Sequence, residues 1–216
     1  TASDGNGGSV TDTFTITVAN TNDAPSISST AVTAVDEDAA YSYSITTSDD
    51  DSDSSDSWTI TSTSVSWLTL THTAGASTAT LAGTPANGDV GSHSVTVTVA
   101  DAASATGTQT FTIVVTNTND APTISSTAVT AATEDAAYTY TVTAADADSD
   151  TITLTGTTVP SWATFTASTG VLAGTPLNAN VGDNSVVITA SDGNGGSVTD
   201  TFTIVVANTN DAPTIT

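Results

Sequence analysis

The sequence predicts an all-β chain of tandem β-sandwiches, about seven short strands in each, arranged as a rod. Three observations predict it. The phrase Asn-Thr-Asn-Asp-Ala-Pro stands at 20–25, 117–122 and 208–213, at spacings of 97 and 91 residues. A fixed period of that size marks an array of domains rather than the turns of a solenoid. Between the phrases, Val, Ile, Tyr and Phe alternate with Thr and Ser at the two-residue period of half-buried strands. Most long-chain helix formers are missing or scarce, since Lys, Arg and Met are absent and Leu and Glu few, and β-branched residues dominate.

Each element can be placed in turn. A strand precedes every phrase: Phe14-Thr-Ile16-Thr-Val18, Phe111-Thr-Ile113 and Phe202-Thr-Ile204. The proline closes it because it lacks a ladder N–H. An early strand reads Tyr41-Ser-Tyr43-Ser-Ile45 in one repeat and Tyr138-Thr-Tyr140-Thr-Val142 in the next. Acidic clusters follow, with Asp49, Asp51 and Asp53 matching Asp146, Asp148 and Asp150. Then come Trp67 and Trp162, and Leu81-Ala-Gly-Thr-Pro85 with Leu172-Ala-Gly-Thr-Pro176. The strands Val95–Val99 and Val187–Ala190 lead through turns after Asp101 and Asp192 to the last strand. Gly5-Asn-Gly-Gly8 and Gly193-Asn-Gly-Gly196 read as hairpin turns, since a phosphate loop requires a lysine this chain lacks. Trp67 and Trp162 read as core pins between sheets, with sugar-stacking platforms as the alternative. The predicted domains are 1–23 (the last hairpin of a preceding repeat), 24–120, 121–211, and 212–216 as the start of a following repeat.

Charge limits the partners. The 216 residues carry 23 acidic side chains and no basic ones beyond two histidines, a formal charge of −23. Nucleic-acid binding depends on Lys and Arg at phosphates, so it is excluded. An anionic membrane surface repels such a chain, and no apolar run is long enough to span a bilayer. Cations are what it attracts, and bound divalent ions would relieve its self-repulsion. Cysteine is absent, so disulfide and thiolate chemistry are excluded.

At these residues the chain resembles a known family. The linker phrase resembles the cadherin interdomain phrase D-x-N-D-x-x-P, with Asn in place of the first Asp. Asp146-Ala-Asp148 resembles the cadherin D-x-D motif. Trp162 followed by Gly170-Val-Leu-Ala-Gly-Thr-Pro176 is similar to the dystroglycan-type cadherin-like, or "Putative Ig", repeats of large bacterial surface adhesins. The resemblance implies Ig-like or cadherin-like sandwiches with calcium between successive domains. Carried over by position, the central junction would use Glu37, then Asn117, Asn119 and Asp120, then Asp146, Asp148 and Asp192. The first would use Asn20, Asn22 and Asp23 with Asp49, Asp51 and Asp101. At the third, Glu134, Asn208, Asn210 and Asp211 would await a further domain. Asp53 and Asp150 would stand behind the ligands or face solvent, and the cadherin D-R-E triplet has no counterpart. The donor chemistry agrees, because calcium takes six to eight oxygen ligands from carboxylates, amides and carbonyls.

Three function classes follow. The first is a structural extender of a secreted or cell-surface bacterial adhesin or fibre. Its partners are neighbouring repeats or copies of the same chain. The second is a polysaccharide- or partner-binding module, which an exposed aromatic strip would favour. The third is an enzyme using paired carboxylates. Turns and linkers account for the aspartates, and His72 and His93 lack counterparts in the second repeat, so catalysis is not expected. Residues 1–28 match 189–216 at 25 of 28 positions. The first 23 residues are therefore expected to be a repeat's final hairpin, with Phe14, Ile16 and Val18 packing outside this chain.

Overall fold

The computed structural model describes residues 1–51, 58–63 and 65–212. Asp53 and residues 213–216 of the expected following repeat (212–216) lie outside the described residues. Two compact units divide the chain. The first comprises Thr1–Val35, Ala39–Pro85 and Gly91–Val115, and the second Asp36–Asp38, Ala86–Val90 and Thr116–Thr216.

The first unit opens with a small hairpin, β1 (Ala2–Ser3) and β2 (Ser9–Val10). Its sandwich contains β3 (Ser26–Ile27), β4 (Ala34–Asp36), β5 (Tyr41–Ser48), β6 (Thr59–Ser62), β7 (Leu68–His72), β8 (Thr78–Gly83), β9 (Gly91–Ala100) and β10 (Thr106–Thr116). These strands form two four-stranded sheets, β3-β5-β8-β7 and β4-β10-β9-β6. Strict alternation decides which face goes inward. Along β5, Tyr41, Tyr43 and Ile45 are buried while Ser42, Ser44 and Thr46 are exposed. They meet Leu81 from β8 and Val95, Val97 and Val99 from β9 in one core. Trp58 joins this core, 7% exposed. The period-two reading passed over it because it stands next to the acidic cluster.

The second unit repeats the plan with β11 (Thr123–Ile124), β12 (Ala131–Thr133), β13 (Tyr138–Thr141), β14 (Ala144–Ala145), β15 (Thr153–Thr158), β16 (Ala163–Thr166), β17 (Val171–Gly174), β18 (Gly182–Ser191) and β19 (Ser197–Ala207). One sheet is β12-β19-β18-β15, with β12 parallel to β19. The other layer is split into β13-β17-β16 and β11-β14. The strand count exceeds the expected seven because short edge pairings such as β11 with β14 carry too little periodicity to be read from sequence. Tyr138, Tyr140 and Val142 pack against Leu172, Val186, Ile188, Ile204 and Val206.

Both linker-side tyrosines are tied to backbone. The Tyr41 hydroxyl donates to Val32 O at 2.8 Å, and Tyr138 to Val129 O at 2.7 Å. Burial pushes both phenols up to about 12. Trp67 and Trp162 are half-buried against their cores, each edge-on to a tyrosine ring at 5.6 Å. The His72 ring links β8 to the residue before β6, with Nδ1 3.2 Å from Thr78 O and Nε2 3.1 Å from Trp58 O. Phe14, Ile16 and Val18 are 75%, 74% and 87% exposed and do not fold back onto the first sandwich.

Candidate metal centres at the linkers

The geometry begins with a glutamate at a turn. In the second unit, Glu37 N donates to Thr116 O at 2.9 Å, which sets the residue beside the end of the last strand. The next residue, Asp38, takes a φ of 57°, a left-handed conformation that Asp tolerates better than most residues. The turn folds the Glu37 side chain beneath the linker, where it is 2% exposed. Its Oε1 accepts the Thr118 N–H at 2.7 Å. Its Oε2 is buried without a hydrogen-bond partner. The device repeats at Glu134, also 2% exposed: its N–H donates to Ala207 O, Thr209 N donates to Oε2, and Oε1 has no partner.

The D-x-D segment supplies the other side. Asp146 Oδ1 accepts the N–H groups of Asp148 and Asp150, at 2.9 and 3.2 Å. This loop aims Asp148 at the linker, where its Oδ2 accepts Asp120 N–H at 2.7 Å. Asp146 Oδ2 is buried and unpartnered. One carboxylate oxygen each from Glu37, Asp120 and Asp148 lies within 4.8 Å of the others. Asp146, Asp148 and Asp150 form a second such group, and Glu134, Asp135 and Asp211 a third. Burial, then the neighbouring Asp148, Asp38 and Asp146 carboxylates, raise the Asp120 carboxyl above its ordinary range.

Asp192 is buried and grips the hairpin turn, accepting Asn194 N–H at 2.7 Å and Gly196 N–H at 3.0 Å on Oδ1. Its Oδ2 accepts the Asn119 amide at 2.9 Å, the main reason its carboxyl is lowered. Asp101 with Asn22 repeats this arrangement in the first unit, at 2.9 Å. There Asp51 Oδ1 accepts the Asn20 amide at 2.8 Å, Asp51 Oδ2 accepts Asp23 N–H, and Asp49 Oδ1 accepts Asp51 N–H.

The structure brings Glu37 near Asp120 and Asp148, Asn119 to Asp192, and Glu134 near Asp211, and places other residues elsewhere. Asn117 is exposed and makes no hydrogen bond to Asp148. Asn208 and Asn210 donate to carbonyls of their own linker, Thr209 O and Asp211 O. Asp150, which the sequence sets behind the ligands or facing solvent, lies in a carboxylate group with Asp146 and Asp148. Asp135 was not singled out, although the repeated Glu-Asp pairs at 37–38 and 134–135 could have marked it. Asn87 was also missed. It lies in a 3-10 turn, Asn87–Asp89, and its amide donates to Asp148 Oδ1 at 2.7 Å. The parallel turn Asn178–Asn180 was the available signal.

The donor set fits calcium. It is all oxygen and carries several charges. It also contains buried carboxylate oxygens, on Glu37 and Asp146, that no protein donor satisfies. A buried unpaired carboxylate oxygen is costly, and a cation offsets that cost.

Comparison with known proteins gives a consistent picture. No curated protein matches the chain. Among solved structures, the extracellular domains 1–5 of protocadherin gamma B2 share 17% identity over 89% of this chain and 42% of that one, with a TM-score of 0.52, a likeness of fold alone. An endo-fucoidan hydrolase of glycoside hydrolase family 107 shares 28% identity, with a TM-score of 0.40. The match covers 87% of this chain but only 29% of the hydrolase. The family model described as "Putative Ig domain" matches residues 24–116 and 121–207. The chain belongs to that family, as two tandem Ig-like and cadherin-like β-sandwich repeats.

Proposed function

We propose that this chain is a stretch of structural extender repeats from a secreted or cell-surface adhesin or extracellular fibre, stiffened by calcium at its linkers. The observation that carries the reading is Glu37 Oε2, which is buried without a partner beside Asp120 and Asp148 in a chain that has no lysine or arginine to neutralise it. Glu37, Asp120, Asp146 and Asp148 would hold the ion. The bound ion would supply positive charge among carboxylates that otherwise repel one another. Thr118 N–H orients Glu37, Asp120 N–H orients Asp148, and Asp146 holds its own loop through two backbone N–H groups. Ordering a linker in this way restricts the backbone freedom that it would otherwise keep. The reading is non-catalytic. The polysaccharide-binding alternative gains no support from the tryptophans, which pack against their cores instead of forming an exposed strip.

Calorimetric titration of the metal-free chain with calcium tests the reading. Extracellular modules of this kind bind at about 10⁻⁴–10⁻³ M. Saturable binding in that range, weakened in Glu37→Gln, is the expected result. The absence of saturable heat would remove the calcium half of the proposal.

A further inference from the structure

We infer that Asn87 sets the cation affinity of the central cluster by exchanging a hydrogen bond for a metal contact. The inference rests on the calcium reading above. Asn87 Nδ2 donates to Asp148 Oδ1 at 2.7 Å, while Asp148 Oδ2 is occupied by Asp120 N–H. Oδ1 is therefore the Asp148 oxygen that can turn to an ion without disturbing the linker. Two oxygens of the cluster, Glu37 Oε2 and Asp146 Oδ2, are buried with no hydrogen to accept. In the metal-free chain the carboxamide gives Asp148 a neutral donor. With an ion present, that donor faces a cation and is in the wrong orientation. Rotation of the amide presents its oxygen, which is a calcium ligand, while its nitrogen is not.

Two further observations support the inference. The 3-10 turn that carries Asn87 is fixed at both ends: Ala86 N–H donates to Asp89 Oδ2 at 3.0 Å and Val90 N–H to Asn87 O at 3.2 Å. The second repeat builds the same turn, with Leu177 N–H on Asn180 Oδ1 and Val181 N–H on Asn178 O. The corresponding oxygen in the first unit, Asp51 Oδ1, is also capped by a carboxamide, but the linker's own Asn20 supplies it. The second aspartate of each D-x-D segment thus carries an amide cap. At the central site the cap comes from Asn87, whereas in the first unit it comes from the linker's Asn20.

The test is calcium titration of the full chain as wild type, Asn87→Asp, Asn87→Ala and Glu37→Gln, with NMR of the side-chain amides. Asn87→Asp adds a ligand charge and is expected to bind about tenfold more tightly, since ligand charge tunes such sites. It should also lower the metal-free melting temperature, because it sets a carboxylate against Asp148. Asn87→Ala should bind several-fold more weakly. The carboxamide signals lost in Asn87→Ala should be the ones that shift when calcium is added to wild type. If Glu37→Gln weakens binding while both Asn87 variants titrate like wild type, the role of Asn87 is overturned and the calcium reading stands. If wild type does not bind calcium, both fall.

Discussion

The two units use the same phrases but complete them differently. In the second unit, Trp162 Nε1 donates to Asn184 Oδ1 at 3.0 Å, and Asn184 in turn donates to Asn180 O and Gly182 O. In the first unit His93 stands at the matching position, edge-on to Trp67 at 5.8 Å, and Trp67 Nε1 is buried without an acceptor. The acidic ends differ in the same sense. The second unit brings Glu37 and Asn87 to Asp148, whereas in the first, among the described residues, Asp51 is met by its own linker's Asn20 and Asp23. The two cores are built from matching buried residues, although the polar networks beside them differ. Both networks are added to a scaffold that alternation of buried and exposed residues specifies.

The comparison can be broken or sharpened by substitution. Trp162→Ala should have the largest effect, destabilising the second sandwich by about 3 kcal/mol through lost packing and an orphaned Asn184. Chemical denaturation would measure it, and unchanged stability would point back to an exposed sugar platform. Asp148→Ala should next abolish the tightest calcium phase in calorimetry and leave both sandwiches folded by circular dichroism. Asp51→Ala should spare that phase. Equal effects of the two would erase the distinction between the acidic ends. Asn184→Ala should cost about 1–3 kcal/mol by leaving the Trp162 N–H unpaired, while His93→Asn should raise the first unit's melting temperature by giving Trp67 the acceptor it lacks. Where the units agree, the effect should be equal. Tyr41 and Tyr138 ionise at about 12 in the folded chain against 10 unfolded. The stability they contribute is complete below pH 10 and is lost as pH rises from there through about 12. Phenolate absorbance followed against unfolding in alkali should show the two titrating together.

Much of this was legible in the sequence. Alternation at 41–45, 95–99 and 138–142 located the core strands because each apolar side chain there is buried and each Thr or Ser between them is exposed or half-buried. The linker phrase and D-x-D located the acidic ends, since the same residues recur at matching offsets. Other features were not legible for physical reasons. Trp58 sits where an acidic run hides the strand period. Asn87 contributes through a 3-10 turn whose direction no residue pattern encodes. The orphaned oxygen of Glu37 follows from burial, which a lone glutamate in a polar stretch does not announce. Two-residue strands such as β3 and β11 are fixed by their partners, not by their own composition.

The central claim is that calcium orders the linkers by way of Glu37 and the D-x-D aspartates. The direct measurement is small-angle scattering of the wild-type chain and Glu37→Gln, each in millimolar calcium and in chelator, with melting temperatures recorded on the same samples. The account predicts that calcium narrows the distribution of wild-type dimensions and raises its melting temperature, and that Glu37→Gln loses most of both responses. Wild-type scattering and melting that are identical in calcium and in chelator would contradict it.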